Sequence, residues 1–361
     1  GFSSLKVALG SKFVDGPYGG GNTFIKNISS YLLENGHKVV FDLQDKDIDI
    51  ILLTNPLYDS EHSTFTHLDI SEYQLRVNNL AISIQRINEC DERKQTNYVN
   101  NAIMKSNKTI DHTVFVSNWL RDLYENIGLK TNNSSVILGG SDQKIFNGEN
   151  KIKWNGSEKI KLVTHHWSDH FMKGFKTYKL IDEMLDNKEW SNRLSFTYIG
   201  NYPKELEFRN TTLIPPLEGN SLAKELKSQH IYITGSLNEP SGNHHVEASL
   251  CRLPVLYIKS GGVTEYCKNY GVEFTADNIE EKINYLMLNY ENYYSKLDCY
   301  NLTSTNMSVE FVKLFEILHK SKLEIRDSRI GVNNYSLKLN KIYFRINKIF
   351  NKVKYKFRKL F

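Results

Sequence analysis

At 361 residues the chain is longer than one typical domain, and each half is large enough to bury its own core. With 40% hydrophobic and 24% charged residues, plus 21 Tyr and 18 Phe, the composition excludes a disordered chain. The formal net charge of +5 sits at one end: residues 338–361 hold nine Lys or Arg and no acid, and the other 37 basic and 41 acidic residues leave the body at −4, a poor match to nucleic acid.

Cys90, Cys251, Cys267 and Cys299 are widely spaced, with no Cys-x-x-Cys pair. Neither a disulfide framework nor a zinc site is expected, and a reducing compartment fits. The opening GFSSLKVALGSKF has no apolar core of signal-peptide length. The longest apolar run, over 48–53, is broken by Asp49 and is too short to span a bilayer.

Residues 5–9 (LKVAL) predict a short buried strand, followed by a Gly-rich loop over 16–21. Residues 22–36 place Phe24, Ile28, Tyr31 and Leu32 on one helical face, with Asn22 or Thr23 to cap the start and Gly36 to close the end. Strands at 37–41 and 48–53 follow, and this strand–helix–strand order implies a parallel sheet covered by helices. Strands over 81–84, 113–116 and 135–138 and a helix over 118–127 extend the first unit. The stretch 147–159, rich in Asn, Gly and Lys, predicts a linker. A second alternation has strands at 160–164, 195–199, 230–234 and 254–258. Its helices are at 175–185, 222–226, 246–250, 279–288 and 309–318, the last two closing the second domain. No short repeat runs through the chain.

The segment that carries most chemistry is Glu239-Pro-Ser-Gly-Asn-His-His-Val-Glu247. The first glutamate follows a predicted strand and the second lies in the next helix, with small and polar residues between. Ligands of open parallel sheets bind at the carboxyl ends of strands, where this loop falls. The helix start offers free N–H groups and partial positive charge to a diphosphate, and the flanking carboxylates can hold sugar hydroxyls. The plainer alternative is a strand–loop–helix with both glutamates on the surface.

This segment, continued as Glu247-Ala-Ser-Leu-Cys-Arg-Leu-Pro-Val255, resembles the E-x7-E region of the family 4 retaining glycosyltransferases, the glycosyl transferases group 1, with Arg252 where glycine is usual. Other landmarks follow in that family's order: Gly19-Gly-Gly, Glu34-Asn-Gly-His-Lys-Val, Leu138-Gly-Gly-Ser-Asp-Gln-Lys-Ile-Phe, Met172-Lys-Gly-Phe and Ser260-Gly-Gly-Val-Thr-Glu-Tyr. Gly139 replaces an asparagine. The resemblance runs over about 5–320 and rests on the order of the motifs. It implies an α/β GT-B fold: two Rossmann-like, doubly wound parallel-sheet domains facing across a cleft. The expected divisions are an acceptor-side domain over 1–148, a donor-side domain over 149–320 and a basic tail over 321–361.

The resemblance also implies roles. Glu239 would hold hydroxyls of the donor sugar and Glu247 the ribose. Lys173 would neutralise the departing diphosphate. Gly20 and Gly21 would let backbone approach the phosphates, assisted by loop amides near Asn243 and His244. The family usually has an arginine about five residues before this lysine; here His165-His-Trp-Ser-Asp-His170 stands there, with His166 or His170 as substitutes. The stretch 84–91 puts a polar set at a strand's carboxyl end. A histidine is common in the family near Gln85 and contacts the transferred sugar. Gln85 is thus a candidate catalytic residue, with Arg86 and Asn88 for the acceptor; a solvated helix start is the alternative. A metal cluster at His165, His166, Asp169 and His170 is the lesser reading, because the resembling enzymes need no metal.

Asp45-Lys-Asp47 and Asp47-Ile-Asp49 match an Asp-x-Asp pattern but precede a strand, and are read as solvated. In the tail, Ile342, Ile346, Ile349, Val353, Phe357 and Leu360 recur at helical spacing beside Lys341, Arg345, Lys348, Lys352, Lys356 and Lys359. A basic amphipathic helix of this kind suits an anionic membrane surface.

The expectation is an enzyme that moves a hexose-like sugar, with retention, from a nucleotide-sugar donor to a hydroxyl of a glycan or lipid-linked glycan. The nucleotide sugar is a substrate, so no cofactor is expected. The expected location is cytoplasmic, peripheral on the inner face of a membrane. A GT-B sugar-nucleotide epimerase and a non-catalytic sugar-binding protein are the alternatives.

Overall fold

The computed structural model of the protein describes residues 3–12, 20–56 and 63–360, with 20–22 described by their backbone alone. The first unit runs β1 (Lys6–Leu9), α1 (Gly20–Glu34), β2 (Lys38–Val40), β3 (Ile50–Leu53), α2 (His67–Arg76), β4 (Ile82–Ile87), α3 (Asp91–Lys94), α4 (Val99–Asn107), β5 (His112–Phe115), α5 (Asn118–Asn126) and β6 (Ser134–Val136). The second begins with β7 (Ile160–His166), α6 (Phe175–Met184), α7 (Lys188–Ser191), β8 (Leu194–Gly200), β9 (Thr212–Ile214), α8 (Gly219–Lys227) and β10 (Ile231–Thr234). It continues with α9 (Asn243–Leu250), β11 (Val255–Tyr257), α10 (Val263–Cys267), β12 (Gly271–Glu273), α11 (Ile279–Leu288) and α12 (Tyr290–Lys296). Three helices end the chain: α13 (Ser304–Lys320), α14 (Lys322–Ser328) and α15 (Asn334–Arg358).

Among the described residues the strands form two six-stranded sheets, ordered β2-β1-β3-β4-β5-β6 and β12-β11-β10-β7-β8-β9, with every ladder parallel. These are doubly wound orders. Strand order reverses between β1 and β3 in the first sheet and between β7 and β10 in the second, and a crevice opens at the carboxyl ends of each such pair. The buried strands read as apolar runs because helices cover both faces: β3 is IILL and fully buried. One face of the first sheet packs Leu5, Val7, Phe24, Ile50 and Ile84 together, and the other packs Ala8, Ile51, Leu53, Phe65 and Ile70. Two further clusters cover the faces of the second sheet.

Several elements differ from the sequence expectation. Helix α1 begins at Gly20, so Gly20 and Gly21 lie in its first turn and neither Asn22 nor Thr23 precedes it. The earlier part of the Gly-rich loop, 16–19, lies outside the described residues. Strand β4 runs on to Ile87 and carries Gln85 and Arg86 within it. Helix α9 starts at Asn243, three residues before the expected start. The helix expected over 309–318 exists, but it packs into the first core rather than the second: Met307, Phe311, Phe315 and Leu318 join Phe24, Ile28 and Leu32 of α1. The apolar stripe is the same for either neighbour, so periodicity alone does not choose between them.

Candidate functional site

Two loops at the switch point of the second sheet bring the functional side chains together. The first follows β7. His170 accepts a hydrogen bond from the Met172 amide at 3.2 Å, and a single 3₁₀ turn over Phe171–Lys173 ends at Gly174 with φ 104°. A Cβ at Gly174 would lie 2.4 Å from the Gly235 carbonyl carbon, so glycine is required for this turn to press against the loop after β10. The second loop is Gly235–Gly242, closed by the Leu237 amide donating to Met172 O at 2.8 Å. Gly242, with φ 88°, precedes α9, and a Cβ there would lie 2.5 Å from His245 and 3.0 Å from Glu239 Cγ.

Glu239 lies at the centre, 9% exposed. Its Oε2 is 2.5 Å from Arg93 Nη2, 3.9 Å from Lys173 Nζ and 3.4 Å from Ser236 Oγ. Burial pushes its pKa up, but Lys173 and Arg93 outweigh that and hold it below the usual carboxylate value. Burial pushes Lys173 down while Glu239 supports its charge. A carboxylate and an ammonium are thus held side by side next to the start of α9, whose first turn carries no acid.

Glu247, one turn into α9, accepts from His165 Nε2 at 3.2 Å, while Tyr232 OH lies 3.0 Å from His165 Nδ1. His244 sits 2.8 Å from Thr234 Oγ1 and 3.3 Å from His245 Nδ1. His166 hydrogen-bonds to the Tyr178 hydroxyl. Burial pushes His166 and His244 well below the usual histidine value, and His245 down to about 4, so all three rings are neutral at physiological pH. The rings of His165, His166 and His170 are each engaged within their own domain. No group of three or more His, Cys, Asp or Glu among the described residues is arranged to hold a metal.

The first-domain candidates fare unevenly. Gln85 is 1% exposed and faces inward: its Nε2 donates to Ser106 Oγ at 2.8 Å and its Oε1 accepts from Asn107 at 2.9 Å. It is an internal amide tying β4 to α4, and the expectation that it faces the sugar is corrected. The next residue points the other way, as strand alternation demands. Arg86 stacks on Phe24 with Cζ 3.9 Å from the ring centroid, and burial pushes its pKa down to about 10 while the Tyr266 phenol opposes the fall. Asn88, just past β4, is half-buried, as is Asn243 at the start of α9.

The residue that sequence reasoning missed is Arg93, on the four-residue helix α3. It is 7% exposed and reaches across to the second domain, donating to Met172 O at 2.8 Å, Leu237 O at 2.6 Å and Glu239. Asp91 braces this segment by accepting from Thr96 Oγ1 at 2.5 Å and from the Val99 amide at 2.9 Å. The domains also meet where Glu265 accepts from the Asn118 and Trp119 amides at 2.7 and 3.0 Å, capping α5. Tyr266 OH donates to Val116 O at 2.6 Å and accepts from the Gly139 amide at 2.8 Å.

Residues 202–300, which contain this loop and α9, match the family model described as glycosyl transferases group 1. The chain has the GT-B fold, and this stretch of it is similar to the glycosyl transferases group 1. Solved structures similar to it include a glycosyltransferase from Rickettsia africae, with TM-score 0.64 and 13% identity, covering 88% of this chain and all of that one. The Anabaena protein Alr3699/HepE, solved in complex with UDP and glucose, gives TM-score 0.62 at 12% identity, covering 87% of this chain and 100% of its own. The sucrose-phosphate synthase of Thermosynechococcus elongatus gives TM-score 0.62 at 12% identity, covering 88% and 100%. At these identities the likeness is one of fold. No curated protein matches the chain. In GT-B terms the loop between Glu239 and Glu247 lies at the interdomain cleft, and Arg93 crosses that cleft.

Proposed function

We propose that this protein is a metal-independent, retaining glycosyltransferase that moves a hexose-like sugar from a nucleotide-sugar donor to a hydroxyl of a glycan or lipid-linked glycan, as in polysaccharide biosynthesis. The observation that carries the reading is Lys173 beside Glu239 at the start of α9, on the crevice between β7 and β10. The donor's diphosphate is received by the first amides of α9, at Asn243 and His244, and by the Lys173 ammonium. Glu239 accepts hydroxyls of the sugar through its Oε1, since the contacts described above fall on Oε2. Glu247, oriented by His165, takes the ribose hydroxyls. The Anabaena protein solved with UDP and glucose favours UDP as the first nucleotide to test.

In the transfer, the bond from the anomeric carbon to the phosphate oxygen breaks as the acceptor oxygen bonds that carbon from the same face. The acceptor's proton passes to the departing phosphate. Lys173 and the helix amides stabilise the charge that develops there. Arg86 and Asn88 are the acceptor-side candidates, and Gly20 and Gly21 give backbone access to the phosphates. The tail brings the enzyme to an anionic membrane surface at the cytoplasmic face, where a lipid-linked acceptor would lie.

The test is a turnover screen over a panel of nucleotide sugars with product analysis. Transfer by the wild type, lowered about 10²–10³-fold in Glu239→Gln, is the expected result. Isomerisation of the donor without an acceptor would point to an epimerase. No turnover and no thermal shift with any donor would overturn the reading.

A further inference from the structure

Arg93 is the one described first-domain side chain that pairs with a charged group of the candidate donor site, and its three contacts fall on two separate loops. Nη1 donates to Met172 O, in the turn that carries Lys173, and to Leu237 O, in the loop that carries Glu239. Nη2 bonds the Glu239 carboxylate itself. Two loops of the second domain, already joined by the Leu237 amide on Met172 O, are thereby clamped further by a guanidinium belonging to the first. Secondary contacts follow the same path: Gln95 Nε2 lies 3.9 Å from Met172 Sδ, and Asn238 Nδ2 donates to Glu92 O at 3.3 Å.

We infer that Arg93 is a positioning residue that couples domain closure to the competence of the donor site. The inference rests on the reading of Glu239 and Lys173 as donor-binding groups. With the domains apart, Glu239 keeps Lys173 and Ser236, but it loses its closest cation and the two loops lose their shared clamp. When they close, the planar fork of Arg93 meets two carbonyls and one carboxylate oxygen at once. Lysine carries a single point of attachment and cannot reproduce that geometry. Glu239 is then held by one oxygen, leaving the other to accept a sugar hydroxyl. Because the pair is buried, the link between closure and Glu239 is electrostatic as well as geometric.

Hydrogen exchange on the full chain reads this without a substrate. In Arg93→Ala the amides of 172–174 and 236–239 should exchange about tenfold faster or more, with β8 and β11 unchanged; Arg93→Lys should fall between. UDP affinity, measured calorimetrically, should change less than threefold (about 0.65 kcal/mol), while donor turnover falls about 10²-fold and is partly restored by millimolar guanidinium but not by sodium at equal ionic strength. Unchanged exchange at 172–174 and 236–239, or a loss of UDP affinity as large as the loss of turnover, overturns the inference. Glu239→Gln separates the two levels. If it turns over normally, the donor-site reading itself fails. If it is inactive while Arg93→Ala matches wild type, only the role of Arg93 fails.

Discussion

Gln85 and Arg86 are adjacent, yet β4 sends them to opposite faces of the sheet, one to Ser106 and Asn107 and the other to Phe24. Replacing Gln85 with Leu takes the donor from Ser106 Oγ and the acceptor from Asn107 Nδ2, and should cost about 1–3 kcal/mol in chemical denaturation, while turnover of the folded protein barely changes. A large loss of turnover at unchanged stability would contradict the internal role. Arg252 occupies the position where the resemblance leads one to expect glycine, and its φ of 62° shows why glycine suits that place. Its strain is offset by the Asp298 carboxylate at 2.7 Å and the Tyr294 ring 4.1 Å from Cζ. Arg252→Gly should therefore shift stability by less than about 1 kcal/mol. A drop well beyond that in thermal denaturation would show that the ion pair and ring dominate. As candidates, Glu239 and Glu247 were legible from a local strand–loop–helix pattern, and Lys173 from the Met172-Lys-Gly-Phe landmark of the resemblance. Arg93 was not, because its bond to Glu239 spans 146 residues and α3 is one turn long, so no periodicity marks it.

The long, periodic elements were legible, and β9, β12 and α2 were not. β9 and β12 are three residues each, too short for alternation to show, and α2 is a mostly polar segment fixed by a Thr66–Asp69 capping box. α13 was read as a helix, but its partner α1 lies near the other end of the chain, where the Phe24 and Phe311 rings sit 5.3 Å apart, tilted at 57°. Phe311→Ala should cost about 3–5 kcal/mol and speed hydrogen exchange in β1 and β3 more than in β8. Faster exchange in the second domain instead would place α13 wrongly. α15 docks along its first part: Leu337 is buried, Asn334 accepts from Arg76 at 2.9 Å, Lys341 pairs with Glu72, and the rings of Tyr343 and Phe344 meet Lys105 and His67. Ile342, Ile346, Ile349, Val353 and Phe357 are all exposed, so no described part of the chain covers the stripe. Among the described residues no helix is long and apolar enough to cross a membrane. A surface-lying helix gains about 1 kcal/mol per basic residue from anionic lipid. Deleting 338–361 should abolish sedimentation with phosphatidylserine vesicles and leave UDP binding unchanged. Equal sedimentation of the truncated chain would remove the tail from that role.

At the scale of the whole molecule, burial holds many histidines neutral in both domains. His67, His112, His230 and His245 are each pushed down to about 4. Below the ordinary value of about 6.5 the unfolded chain takes up protons that the folded chain refuses. Stability is therefore lost as pH falls from about 6.5 towards 4, by up to about 1.4 kcal/mol per pH unit for each fully buried group. Denaturant midpoints measured at pH 7.5, 6 and 5 should fall steeply over the last interval, and a flat profile would contradict this.

The central claim is that Lys173 and the start of α9 receive a diphosphate. Calorimetric titration of UDP into the wild-type protein and Lys173→Ala tests it most directly. The account predicts measurable binding by the wild type and a loss of about ten- to hundredfold in the variant, with Gln85→Leu unaffected. Equal UDP affinity in wild type and Lys173→Ala would contradict it.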